Sequence, residues 1–281
     1  MSISAADVKK LRDMTNAPMM DCKAALTAAN GDMEKAVDEL RKKIKGLTAK
    51  FGAREMAEGR IATFVDPAAK VAAILEMRCE SPPVAKAERF VALANEVAKQ
   101  VAQKDPGNVE ALLAQPSIVE PARTVQDRVH DVFSLIRENM KPHRFTRVAG
   151  LAGDYVHHDG SVGVLLLVEG TQADPQMLRD MCMHITARNP VAATKDDVPP
   201  ALLAKETEIA REQIKADPKN ANKPANILDK IIEGKIKTWL ADNVLLEQPF
   251  VKDDSKTVGQ LLASANLKLV KFVRYKVGEI S

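Results

Sequence analysis

Aromatic residues are few, with one Trp, two Tyr and seven Phe in a chain of 281. Proteins that read nucleic acid carry a strong basic bias or a basic stripe interleaved with aromatics. This sequence has neither, since 41 Lys and Arg stand against 38 Asp and Glu for a net charge of +3. No nucleic acid is expected, and a protein partner is the better reading. Cysteine is scarcer still. Cys22, Cys79 and Cys182 lie far apart and are odd in number, which argues against a disulfide framework and against a metal site. They read as small buried hydrophobes in a reducing compartment. No apolar run nears the roughly 20 residues that span a bilayer. The segment MSISAADVKK has no apolar signal core and no Arg- and Ser-rich transit pattern. No membrane contact and a cytoplasmic location are expected.

Catalytic motifs are missing as well. Gly234-Lys235 has no glycine five residues before it, so no phosphate-cradling loop is present. Neither G-x-S-x-G nor H-E-x-x-H occurs. Of the five histidines only His157 and His158 adjoin. Neighbours on a strand point to opposite faces, which disfavours a shared metal and leaves a hairpin-tip contact or a plain surface role. Met181, Cys182, Met183 and His184 read as one helix core. The expectation is a non-enzyme with no cofactor and no metal.

What is there is a mixed pattern of class α+β. Residues 1–45 read as three short helices. Ser4 with Asp7 forms a capping box ahead of the stripe Val8, Leu11, Met14. Asn16-Ala17-Pro18 breaks the chain, and Pro18 and Asp21 suit the first turn of a second helix whose small face is Ala24, Ala25 and Ala28. Asn30-Gly31 ends it, Asp32 caps the third, and Ala36, Val37 and Leu40 face inward. Residues 46–58 read as a linker. Strands are expected over 59–66 and 70–79, then a helix with Phe90, Leu93, Ala94, Val97 and Val101 on one face. A further helix carries Val125, Val129, Val132, Ile136 and Met140. Residues 146–157 and 161–168 flank Asp159-Gly160, a strong hairpin signal, and a helix over 174–188 follows. The hairpin-plus-helix theme thus occurs twice, which predicts a core of two similar halves, 59–145 and 146–196 with 244–281. Residues 197–243 read as an inserted antiparallel helical hairpin around the turn cluster 217–224. Val258, Leu261 and Leu262, then Leu267–Val277, read as strand-like.

The segment Thr15-Asn-Ala-Pro-Met-Met-Asp-Cys-Lys23 places two methionines beside Arg12 at a helix entrance. Both cannot enter so small a core, so a soft partner-binding patch is weighed against core packing. Here the chain also becomes recognisable. VKKLRDMTNAPMMDCKAALTAANGDMEKAVDELRKK resembles the ubiquitin-associated-type module of the elongation factor Ts family. QPFVKDDSKTVGQLL at 248–262 resembles that family's C-terminal signature, and LEMRCESPPVAK at 75–86 its exchange loop. REN at 137–139, YVHHDGSVGVL and HITARNP are weaker matches in the same order.

The resemblance implies a factor that binds elongation factor Tu, in its GDP-bound and nucleotide-free forms, and releases its GDP. It implies the three-helix module, a two-part core and an inserted helical hairpin, and the C-terminal helix of some members looks absent. Arg12, Met19 and Met20 fall on the module's contact positions, and the hairpin histidine is His157 or His158. Pairing of two copies stays open. The departure is in the exchange loop. The family commonly has Thr-Asp-Phe before Val-Ala-Lys, whose Asp and Phe intrude near the partner's Mg²⁺. Here Ser81-Pro82-Pro83 precedes Val84. The two prolines are expected to make either a stiff extended tip or a plain strand-to-helix turn, with Glu80 as the nearest carboxylate. Three rivals follow: a docking paralogue without exchange activity, a ubiquitin-fold adaptor, and an unrecognised enzyme.

Overall fold

The computed structural model describes residues 3–15, 17–51, 54–220 and 223–279, apart from the side chains of 45 and 48–50. Asn16 of the expected break, Ala221 and Asn222 of the turn cluster and Gly52-Ala53 of the expected linker lie outside the described residues. The class is α+β, and the chain falls into two compact units.

The first unit holds residues up to 149, 156–163 and 275 onward. It opens with α1 (Ala5–Thr15), α2 (Met19–Ala28) and α3 (Met33–Phe51). Ser4 Oγ accepts the Asp7 N–H at 3.2 Å while Asp7 Oδ2 accepts the Ser4 N–H at 3.3 Å, the expected capping box. Asn30 and Gly31 take left-handed φ of 52° and 86° and turn the chain, and Asp32 Oδ1 caps α3 through the Lys35 N–H at 3.1 Å. Val8, Leu11, Cys22, Ala25, Leu26, Ala36 and Leu40 form the core of this bundle. Three expectations fail here. Met14 is 57% exposed, since the stripe of α1 stops at Leu11. Ala24 and Ala28 are exposed, and the buried face of α2 is Cys22, Ala25 and Leu26. Residues 46–51, read as linker, are the last turns of α3.

Strands β1 (Glu58–Asp66), β2 (Val71–Cys79) and, later, β3 (Met140–Ala149) form an antiparallel sheet in that order. Asp66 Oδ1 accepts the N–H groups of Ala68 and Ala69 at 3.1 and 3.0 Å, and this fixes the β1–β2 turn. Between the strands come α4 (Pro82–Lys86), α5 (Glu88–Lys104), α6 (Val109–Ala114) and α7 (Val125–Ile136). Phe90, Leu93, Ala94, Val97 and Val101 of α5 pack on Ala73, Leu75 and Met77. The other face of β2 is also covered. Glu76 is fully buried and accepts from Arg78 Nε at 2.8 Å, Arg144 Nε at 2.6 Å and the Gly278 N–H at 3.1 Å. Met140 is not in α7. Arg137 takes φ +65° and ends the helix, and Met140 starts β3.

The second unit holds residues 150–155 and 164–274. Its three-stranded sheet has the order β4 (Leu151–Val156), β5 (Val162–Glu169), β8 (Lys268–Lys276). The expected strand 146–157 is thus two strands: Gly150, at φ +136°, separates β3 of the first sheet from β4 of the second. Helix α8 (Pro175–Arg188) buries Leu178, Met181, Cys182, His184 and Ile185. The chain then leaves as α9 (Pro200–Ala216) and α10 (Ala225–Asn243), which pack through Ala210, Ile214 and Ile232. It returns where it left, because Ala192 and Val244 form a parallel bridge. Strands β6 (Pro249–Phe250) and β7 (Asp253–Thr257) pair, and Val258–Ser264 is α11. That corrects the strand reading of Val258, Leu261 and Leu262, whose spacing fits a short helix capped by Thr257.

Candidate functional site

Three surface features of the first unit carry the residues singled out by sequence. The first is the entrance of α2. Met19 and Met20 are 52% and 72% exposed, and Arg12 is exposed in the last turn of α1. The contact of Thr15 Oγ1 with Cys22 Sγ at 4.0 Å holds these two helix ends together. Burying one such apolar side chain is worth about 1.5–3 kcal/mol, so the core fold forgoes that gain at both methionines. The core alternative for this pair is excluded, and what remains is soft apolar surface of the kind that adapts to a partner.

The second feature is the 80–84 loop. Pro82 and Pro83 are exposed and occupy the first positions of α4, whereas Val84 and Ala85 are buried. The extended-tip expectation is therefore wrong. Pro at a helix start loses no hydrogen bond, and its fixed φ is already helical. Ser81 does not cap α4. Its hydroxyl donates instead to both Glu138 carboxylate oxygens at 2.9 and 2.8 Å. Nor is Glu80 a spare carboxylate at the tip, being largely buried. It accepts the Asn139 N–H at 2.8 Å and faces Arg54 Nη1 at 3.4 Å. Beneath the loop, burial pushes the Cys79 thiol up to about 12, which makes it inert.

In the sequence, Arg137-Glu138-Asn139 stands out only as a block of resemblance. The structure makes it the meeting point of two features. Arg137 pairs with Asp21 in the first turn of α2, Glu138 holds Ser81, and Asn139 holds Glu80 by its backbone and the Phe51 carbonyl by its side chain. Burial works to raise the Asp21 carboxyl, but hydrogen bonds from Lys43 and Arg137 outweigh it and hold it below the usual range. A left-handed non-glycine residue costs about 1 kcal/mol or more. A half-exposed ion pair returns about 0–1 kcal/mol. The backbone there is an ordinary left-handed helix cap, with the Arg137 N–H closing on the Phe133 carbonyl at 2.7 Å.

The third feature is the β4–β5 hairpin tip. Gly160 at φ +79° lets the chain close against β1, where its carbonyl accepts the Ile61 N–H at 2.8 Å. His157 and His158 are not on a strand, as the sequence reading assumed. They sit in the turn with ring centroids 4.2 Å apart. Asp159 Oδ1 accepts from the Ser161 N–H, from Ser161 Oγ and from His157 Nδ1, and these bonds hold its carboxyl far below the usual range. His157 is thus engaged, and His158 is the outward ring. Among the described residues no group of three or more His, Cys, Asp or Glu is placed to hold a metal ion. No helix among them is long and apolar enough to cross a membrane.

Comparison with known proteins agrees over the whole chain. A family model described as Elongation factor TS matches residues 83–279. Elongation factor Ts of Thioalkalivibrio sulfidiphilus is 40% identical over 99% of this chain and 93% of its own length. The same factor of Clostridium perfringens is 39% identical over 99% and 93%, and that of Thiobacillus denitrificans 42% over 99% and 92%.

Proposed function

This chain belongs to the elongation factor Ts family of translation elongation factors, and from that membership we propose that it binds elongation factor Tu in the cytoplasm and promotes release of its GDP. The observation that carries the docking part is the pair Met19 and Met20, apolar and held out of the core at a helix entrance. The three-helix bundle is read as the ubiquitin-associated-type module that meets the partner with Arg12, Met19 and Met20. His158, and His157 behind it, make a second contact from the hairpin tip.

No catalytic residue is needed. A GTPase holds its nucleotide through Mg²⁺ and phosphate contacts. A factor that prefers the empty form weakens nucleotide binding by the same ratio by which nucleotide weakens it. Acceleration then needs a complex in which one loop disturbs the Mg²⁺ or phosphate site. Here Ser81, Pro82, Pro83 and Val84 form that loop, and it offers no carboxylate, since Glu80 is tied to Asn139 and Arg54. The push on Mg²⁺ is correspondingly weaker, and the apolar face of Pro82-Pro83 supplies bulk instead of charge.

Stopped-flow release of a fluorescent GDP analogue from the cognate elongation factor Tu, at several Mg²⁺ concentrations, tests this. Strong acceleration is expected, and faster still with Pro82→Asp/Pro83→Phe. No gain in that double variant would overturn the weakened-push reading. The engaged Glu80 favours a second reading, a docking paralogue, which predicts binding with no acceleration.

A further inference from the structure

We propose that Arg137, Glu138 and Asn139 are positioning residues: a joint that fixes the three-helix module relative to the 80–84 loop, so that docking by one delivers the other. The inference rests on the exchange reading above for its functional half, and on geometry alone for its structural half.

Three consecutive residues reach three elements far apart in sequence. Arg137 reaches back to Asp21, one residue beyond Met20. Glu138 takes the Ser81 hydroxyl with both oxygens. Asn139 takes Glu80 by its N–H and grips the last residue of α3 through the Phe51 carbonyl. Around them Phe51 and Phe133 rings stand 6.0 Å apart, and Arg54 lies over the Phe51 ring at 3.9 Å. Asp21 is clamped from a second side by Lys43 at 2.8 Å. The left-handed backbone of Arg137, whose N–H still closes on the Phe133 carbonyl at 2.7 Å, aims the three side chains in different directions.

Once the module has docked, a rigid frame holds the loop in place against its target within the complex, and that placement is lost when the frame loosens. Loosening the joint should therefore leave docking by Met19 and Met20 largely intact while the loop no longer arrives in register. That predicts a fall in the maximal exchange rate rather than in the concentration that half-saturates it.

The test uses Arg137→Asn, which keeps a residue tolerant of the left-handed backbone, together with Asp21→Asn and the conservative Arg137→Lys. The first readout is the distance distribution between spin labels at Glu34→Cys and Glu110→Cys, both exposed positions in a chain whose own thiols are all buried. It should broaden in Arg137→Asn and Asp21→Asn and return towards wild type in Arg137→Lys. The second readout is GDP release. The maximal rate should drop about tenfold in the two Asn variants, with the half-saturating concentration changed by less than about twofold. Unchanged distance distributions overturn the joint whatever the kinetics do. Broadened distributions with an undiminished maximal rate overturn its role in exchange. If wild type itself does not accelerate release, the exchange reading fails, and the joint stands or falls on the distances alone.

Discussion

Glu76 is buried between Arg78 and Arg144, with the Gly278 N–H on the same carboxylate. A charge in that place is retained only because its partners are complete. Removing one member of such a cluster leaves the others uncompensated and costs about 3–5 kcal/mol. Glu76→Ala should lower the denaturant midpoint by that much, and a loss under about 1 kcal/mol would show that water reaches the arginines. His184 is also fully buried. Its Nδ1 accepts the Val251 N–H at 3.3 Å, so Nε2 carries the proton and donates to Gln248 Oε1 at 2.8 Å. Burial lowers its pKa below the ordinary histidine value. The unfolded chain then takes up a proton more readily, so the stability this residue contributes is complete above about pH 6.5 and is lost as pH falls below it. Unfolding free energies measured from pH 7.5 to 5 should decline, and His184→Gln should flatten that decline.

Element boundaries show where sequence was enough. The capping pair Ser4 and Asp7, the Asn30-Gly31 turn and the five-residue stripe of α5 are local signals, and the structure places each as expected. Two of the misses share one cause, which is contact between distant residues. Gly46 and the lack of a clear apolar period suggest a linker, yet α3 runs on to Phe51, which packs against Phe133. Gly46→Ala tests this. In an open helical position it should add about 0.5–1 kcal/mol, and nothing lies within 4 Å to oppose the new methyl. No change would return 46–51 to a linker. Glu80 looked available for the same reason, since nothing near it in sequence announces Asn139. The exposure of Met19 and Met20 was half legible, because a bundle of three helices has too little interior for both.

At the scale of the molecule, the apolar clusters that pack α5 and α8 on the two sheets draw, among the described residues, on no residue of the three-helix bundle. A chain beginning at Arg54 should therefore fold cooperatively. It would lose about 1–3 kcal/mol as Phe133 gains solvent, and its affinity for elongation factor Tu should fall a hundredfold or more, as expected when an interface's anchors go. Calorimetry and a binding titration check both, and a chain without a cooperative transition would show the bundle to be part of the core. The detour from Ala192 to Val244 has another consequence, one that belongs to birth rather than to binding. The first sheet has all its strands once Ala149 is translated, but β5 must wait for β8, roughly 100 residues later. At ordinary synthesis speeds that is about 5–20 s. Throughout it the apolar tract Val162–Val168 has left the ribosome with β4 on one side but without β8 on the other. A nascent chain of this protein should thus be a client for chaperones in the later half of its synthesis, when the strands of its first sheet are all made but Gly278, which completes the Glu76 cluster, is still to come.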